Sequence, residues 1–98
     1  MNECIVCREV ITNPVCVECI EMEIQTWLYE VKPELVEELN RVTDEINFKF
    51  GDTSCILCKE DMSVCTYCYI HHILTWLEKH PYLIGEFKRL FNFNPFFL

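Results

Sequence analysis

Cys4-Ile5-Val6-Cys7-Arg8-Glu9, near the start of the chain, returns later as Cys55-Ile56-Leu57-Cys58-Lys59-Glu60. Outward from these two hexapeptides the match continues. Val15-Cys16 with Cys19 is echoed by Val64-Cys65 with Cys68, and Thr26-Trp27-Leu28 by Thr75-Trp76-Leu77. Pro33, Leu35, Glu38 and Arg41 then correspond to Pro81, Leu83, Glu86 and Arg89. Two residues are lost between the CxxC pairs and one before the proline. Cysteine, tryptophan and proline recurring in the same order through both halves point to an internal duplication.

The repeat predicts one domain, 1–98, built from a first unit at 1–50 and a second at 51–98. Each unit reads as a knuckle, a short loop, a second knuckle, a helix, a proline turn and another helix. In the first unit Ile20, Ile24, Trp27, Leu28 and Val31 recur at spacings of three and four, the stripe of an amphipathic helix. Lys32-Pro33 ends that helix, because proline disfavours helical geometry in the residue before it and suits the first turn of the next. Leu35, Val36, Leu39, Val42 and Ile46 mark the second helix, with Gly51 as a stop or turn beyond it. The second unit has a wider apolar surface, first Tyr69, Ile70, Ile73, Leu74, Trp76 and Leu77, then Leu83, Ile84, Phe87, Leu90 and Phe91. The expected fold is mainly α: two helical hairpins related by an approximate two-fold, two small knuckle loops, and strand limited to a tiny hairpin. Trp27 and Trp76 are expected to pack in the core.

The eight cysteines form four CxxC pairs. Structural zinc takes four ligands in a tetrahedron, and one CxxC turn supplies two sulfurs on one side of an ion. The candidate metal ligands are therefore Cys4, Cys7, Cys16, Cys19, Cys55, Cys58, Cys65 and Cys68, enough for two zinc ions per chain. The duplication favours local sites, Cys4, Cys7, Cys16 and Cys19 in one and Cys55, Cys58, Cys65 and Cys68 in the other. A cross-braced alternative pairs the first knuckle with the third and the second with the fourth. Iron–sulfur ligation is a further alternative, although the C-x₂-C-x₂-C run of bacterial ferredoxins is absent. Disulfides are another, but no basic segment followed by an apolar stretch suggests export, and a reducing cytoplasm favours metal. The second knuckle of each unit opens a helix, whose free amides and dipole favour thiolates.

This pattern resembles the broad class of zinc-knuckle, zinc-ribbon and treble-clef modules. The resemblance covers the cysteine segments, not the helical remainder. It implies that a knuckle and a helix start share each zinc.

Other chemistry is thinly represented. His71 and His72 follow Cys68 and read as helix positions, and His80 reads as a helix-end residue. No Ser or Cys pairs with a His for nucleophilic work, and two glycines make no phosphate loop. The formal charge of −8 becomes −12 with eight thiolates and two zinc ions, and Lys88-Arg89 is the only adjacent basic pair. Nucleic acid is disfavoured, since phosphate neutralisation needs a basic face. No run approaches the length of a membrane-spanning helix.

The halves differ. Residues 1–50 carry 11 acidic and 4 basic side chains with 4 aromatics; residues 51–98 carry 5 acidic and 4 basic with 9 aromatics. The chain ends Phe91-Asn92-Phe93-Asn94-Pro95-Phe96-Phe97-Leu98, a segment expected either to cover the core or to form a contact surface. The expectation is a non-enzymatic, cytoplasmic adaptor acting through protein contact or self-association by its aromatic second half. A redox- or metal-responsive zinc switch is the second reading, with a nucleic-acid binder and an iron–sulfur electron carrier behind it.

Overall fold

The computed structural model describes residues 3–11, 14–48, 51 and 53–91. The segment Asn92–Leu98, read above as core cover or contact surface, lies outside the described residues. Helix α1 (Val17–Val31) leads through a 3-10 turn (Pro33–Leu35) into α2 (Val36–Asp44). A two-stranded antiparallel sheet follows, β1 (Thr53–Ser54) with β2 (Asp61–Met62), then α3 (Thr66–Leu77) and α4 (Pro81–Leu90). The molecule is mostly helical, as the apolar periodicity predicts.

The prolines act where expected. Val31 is the last residue of α1 and Lys32 its C-cap, so the chain turns immediately before Pro33. Leu77 ends α3, and Pro81 occupies the first turn of α4. Helix α2 is shorter than the apolar pattern implies: Leu35 lies in the 3-10 turn and Ile46 beyond the helix, yet both are buried. The apolar period there records burial of the chain, not the length of the helix.

The predicted stripes form the core. Ile20, Ile24, Trp27 and Leu28 of α1 are buried with Val36 and Leu39 of α2. Tyr69, Ile70, Ile73, Trp76 and Leu77 of α3 are buried with Leu83 and Phe87 of α4. Helices α1 and α2 pack as one hairpin and α3 and α4 as another, with α3 also against α1 and α2. Trp27 meets Phe87 and Phe91, each at 5.7 Å between ring centroids. Much of the second half's aromatic excess is thus core, with Tyr69, Trp76, Phe87 and Phe91 all buried.

Polar bonds lock the hairpins together. The Trp27 indole N–H donates to Glu86 Oε1 at 3.2 Å, and the Trp76 indole N–H to Glu38 Oε1 at 3.3 Å. These two bonds exchange corresponding residues of the sequence repeat. The Tyr69 and Thr43 hydroxyls, both buried, share a hydrogen bond of 2.7 Å between α3 and α2. Burial drives the Tyr69 pKa upward, so it stays a neutral hydroxyl.

Gly51 is not a helix stop, since α2 has already ended at Asp44. It makes the bend into β1 with φ of 140°, where an added Cβ would stand 2.5 Å from the Met62 carbonyl oxygen. Gly51→Ala therefore combines backbone strain with a backbone clash. It is expected to lower the unfolding free energy by about 2 kcal/mol, read as a lower denaturant midpoint. An unchanged midpoint would contradict this account of the bend.

Candidate metal centres

Each knuckle that precedes a hairpin turn is built from short backbone bonds. The Cys4 N–H donates to Glu9 O and the Arg8 N–H to Cys4 O; the Cys55 N–H donates to Glu60 O and the Lys59 N–H to Cys55 O. Arg8 and Lys59 take the left-handed conformation, φ of 66° and 68°, that closes the turn after the second cysteine. Glu3 and Val10 bridge across the first knuckle as β1 and β2 pair across the third. The tiny hairpin expected between the knuckles thus wraps around one instead.

The other two CxxC pairs start helices. Cys16 and Cys65 are the N-caps of α1 and α3, with nearly identical backbone angles. The Cys65 sulfur accepts from the Cys68 N–H, so a candidate ligand also caps its helix.

All eight cysteines meet in two groups of four: Cys4, Cys7, Cys65 and Cys68, and Cys16, Cys19, Cys55 and Cys58. Within each group all sulfurs lie within 4.8 Å of one another. This corrects the local expectation: neither half gathers its own four cysteines. It equally corrects the cross-braced alternative, because the first knuckle meets the fourth and the second meets the third. What holds from the resemblance is its rule that a knuckle and a helix start combine, except that the helix start belongs to the other half.

The physical reason lies in the links between knuckles. Once the hairpin has closed around Cys55–Cys58, only Ser63 and Val64 separate β2 from Cys65, too few to double back. Pro14 and Ser63, one from each link, instead lie beside the knuckle of the other half. The Ile5 N–H donates to Ser63 O and the Ile56 N–H to Pro14 O, both at 2.8 Å.

The sulfur geometry suits a tetrahedral ion. Sulfurs about 2.3 Å from a central zinc are about 3.8 Å apart along each edge of the tetrahedron. Cys4 and Cys68 sulfurs are 3.7 Å apart, Cys7 and Cys65 3.8 Å, Cys16 and Cys58 3.5 Å, and Cys19 and Cys55 3.8 Å. All are too long for a disulfide bond, whose sulfurs stand about 2.05 Å apart.

Two backbone amides converge on one sulfur of each group. Cys4 Sγ accepts from the Val6 and Cys65 N–H groups, and Cys55 Sγ from the Leu57 and Cys16 N–H groups. Burial opposes ionisation of Cys4, but these amides with that of Cys7 outweigh it and bring its pKa to about 7. Burial likewise opposes ionisation of Cys55, and its amide donors bring it to about 6. Burial raises Cys16, Cys19, Cys65 and Cys68, Cys65 to about 11, and neighbouring sulfurs raise Cys19 and Cys68 further. Four anions cannot crowd within a tetrahedron's edge unless a cation lies among them.

His71 and His72 join neither group. His71 stacks on Tyr67, while His72 Nε2 lies 3.2 Å from both the Val42 carbonyl and Glu45 Oε1. His80 is the N-cap of α4, packed edge-on to Trp76 and Tyr82. All the candidate ligands were legible as CxxC pairs. The amide donors from Cys16 and Cys65 were not, because both come from the far half of the chain. Comparison with protein-family models, curated proteins and solved structures found no match to this chain.

Paired substitutions read the grouping directly. Cys7→Ser with Cys65→Ser removes two ligands from one group and should leave one tightly held metal ion per chain. Cys7→Ser with Cys16→Ser damages both groups and should leave no complete site. The reverse pattern of metal content would restore local pairing. Metal binding also displaces thiol protons, so affinity should fall steeply between about pH 8 and about pH 5, on passing below the Cys4 and Cys55 values. A competition titration giving equal affinity at both pH values would contradict metal on these thiolates.

Proposed function

We propose that the chain is a zinc-stabilised, non-enzymatic interaction module in which two structural zinc ions fasten two copies of one duplicated unit. The observation that carries this reading is the pair of four-sulfur groups with tetrahedral edges and no fifth ligand residue among the described residues. Four thiolates fill the shell of a zinc ion, so the metal would hold the fold and offer no position for substrate water.

Duplication is supported by contacts that exchange corresponding residues: Trp27 to Glu86 with Trp76 to Glu38, Ile5 to Ser63 with Ile56 to Pro14, and Cys16 to Cys55 with Cys65 to Cys4. A cytoplasmic setting suits thiolates that must stay reduced. No helix among the described residues is long and apolar enough to cross a membrane.

The contact surface belongs to the second half in this reading. Among the described residues its exposed large apolar groups are Ile56, Leu57, Tyr67, Tyr82 and Leu90, beside Val6, Val10, Met22, Tyr29, Val31 and Phe48 exposed in the first half. A protein partner or a second copy of the chain would dock on that half.

Elemental analysis of protein purified without added metal tests the zinc reading. Two zinc ions per chain are expected, and their removal by excess chelator should abolish cooperative unfolding, since such sites contribute on the order of 10 kcal/mol to folding. Iron with visible absorbance would instead favour an electron carrier. A fold unchanged by metal removal would contradict a structural role.

A further inference from the structure

The two centres have the same ligands but not the same surroundings. In the group of Cys4, Cys7, Cys65 and Cys68, two cysteines are buried and two half-buried. In the other, Cys58 is exposed, whereas Cys7, its counterpart in the repeat, is half-buried. Cys16 of this second group also borders a cavity of about 270 Å³, whose lining includes Glu18, Glu60 and Asp61.

The sequence repeat makes the contrast sharper. Around the first centre the positions corresponding to Glu18, Glu60 and Asp61 are Tyr67, Glu9 and Val10. Of these three carboxylates only Glu60 has an acidic counterpart, although Glu3 precedes Cys4 where Ser54 precedes Cys55. Carboxylates raise the local concentration of a divalent cation. As hard oxygen ligands they hold zinc less firmly than thiolates do, which suits a path towards sulfur.

We propose that the centre formed by Cys16, Cys19, Cys55 and Cys58 is an exchangeable divalent-cation site, filled and emptied through its exposed edge and acidic cavity. The centre of Cys4, Cys7, Cys65 and Cys68 is the permanent one. This rests on the reading of both groups as zinc sites. Metal leaves a tetrathiolate by stepwise replacement: an incoming chelating ligand bonds the ion as one sulfur lets go and takes a proton. Cys58 is the exposed residue of the four, so replacement begins there. The permanent centre still fastens the first knuckle to α3 while the third knuckle is released, which makes partial metal loss a local event.

The full chain, loaded with zinc and first assayed for two ions, is mixed with excess 4-(2-pyridylazo)resorcinol, and zinc release is followed by colour. Two phases of equal amplitude are expected, with rates at least roughly tenfold apart, within the range spanned by differences in ligand surroundings. Cys55→Ser with Cys58→Ser should abolish the fast phase and keep the slow one. In refilling experiments with zinc alone, Glu60→Gln with Asp61→Asn should slow the fast site roughly tenfold and lose that difference at high salt.

A single release phase overturns the proposal, as does a fast phase that survives Cys55→Ser with Cys58→Ser. Fewer than two zinc ions at the outset contradicts the underlying metal reading instead, and this proposal with it. Should those variants fail to fold, cadmium-substituted wild-type protein replaces them. The first cadmium resonance lost to chelator must then couple to the Cys58 β-protons, and coupling to those of Cys7 overturns the assignment.

Discussion

In each quartet two sulfur pairs stand 3.5 to 3.8 Å apart and all four sulfurs lie within 4.8 Å of one another, so as thiolates they repel. A dication at the centre of each quartet would relieve that repulsion, and in this account the rest of the structure depends on it. A chain of this length has a modest core, so two metal centres would weigh heavily against chain entropy. Each centre joins a knuckle from one half to a helix start from the other. The halves are therefore held at two points, and neither point is complete without both.

The helical packing agrees with this crossing of the chain. Trp27 reaches from α1 to Glu86 on α4, and Trp76 from α3 to Glu38 on α2. Tyr69 and Thr43 satisfy each other where α3 meets α2, so no hydroxyl is stranded in that contact. The same residues that make the stripes amphipathic thus also bring Cys65 to Cys4 and Cys16 to Cys55. Packing and metal ligation select one arrangement between them, which is the consistency expected of a sequence with a single fold.

Much of this was legible in the sequence, and the limit of legibility has a physical cause. The apolar period of Ile20, Ile24, Trp27 and Leu28 gave the buried face of α1, and Pro33 and Pro81 marked the turns. A CxxC pair reveals that two sulfurs face one ion, because that geometry is local. Which two pairs share the ion is a property of tertiary packing, and the spacing within each CxxC pair does not encode it. The link of Ser63 and Val64 held the decisive hint: after a hairpin around Cys55–Cys58, two residues are too few to bring Cys65 back to the same ion. Gly51 was visible as a break, but its closeness to Met62 depends on a hairpin whose strands are only two residues each.

The crossed pairing is the centre of the account, and cadmium-substituted protein tests it most directly. Through-bond NMR correlation joins each bound cadmium to the β-protons of its own cysteine ligands. One cadmium should correlate with Cys4, Cys7, Cys65 and Cys68, and the other with Cys16, Cys19, Cys55 and Cys58. A cadmium correlated with Cys4, Cys7, Cys16 and Cys19 would contradict it.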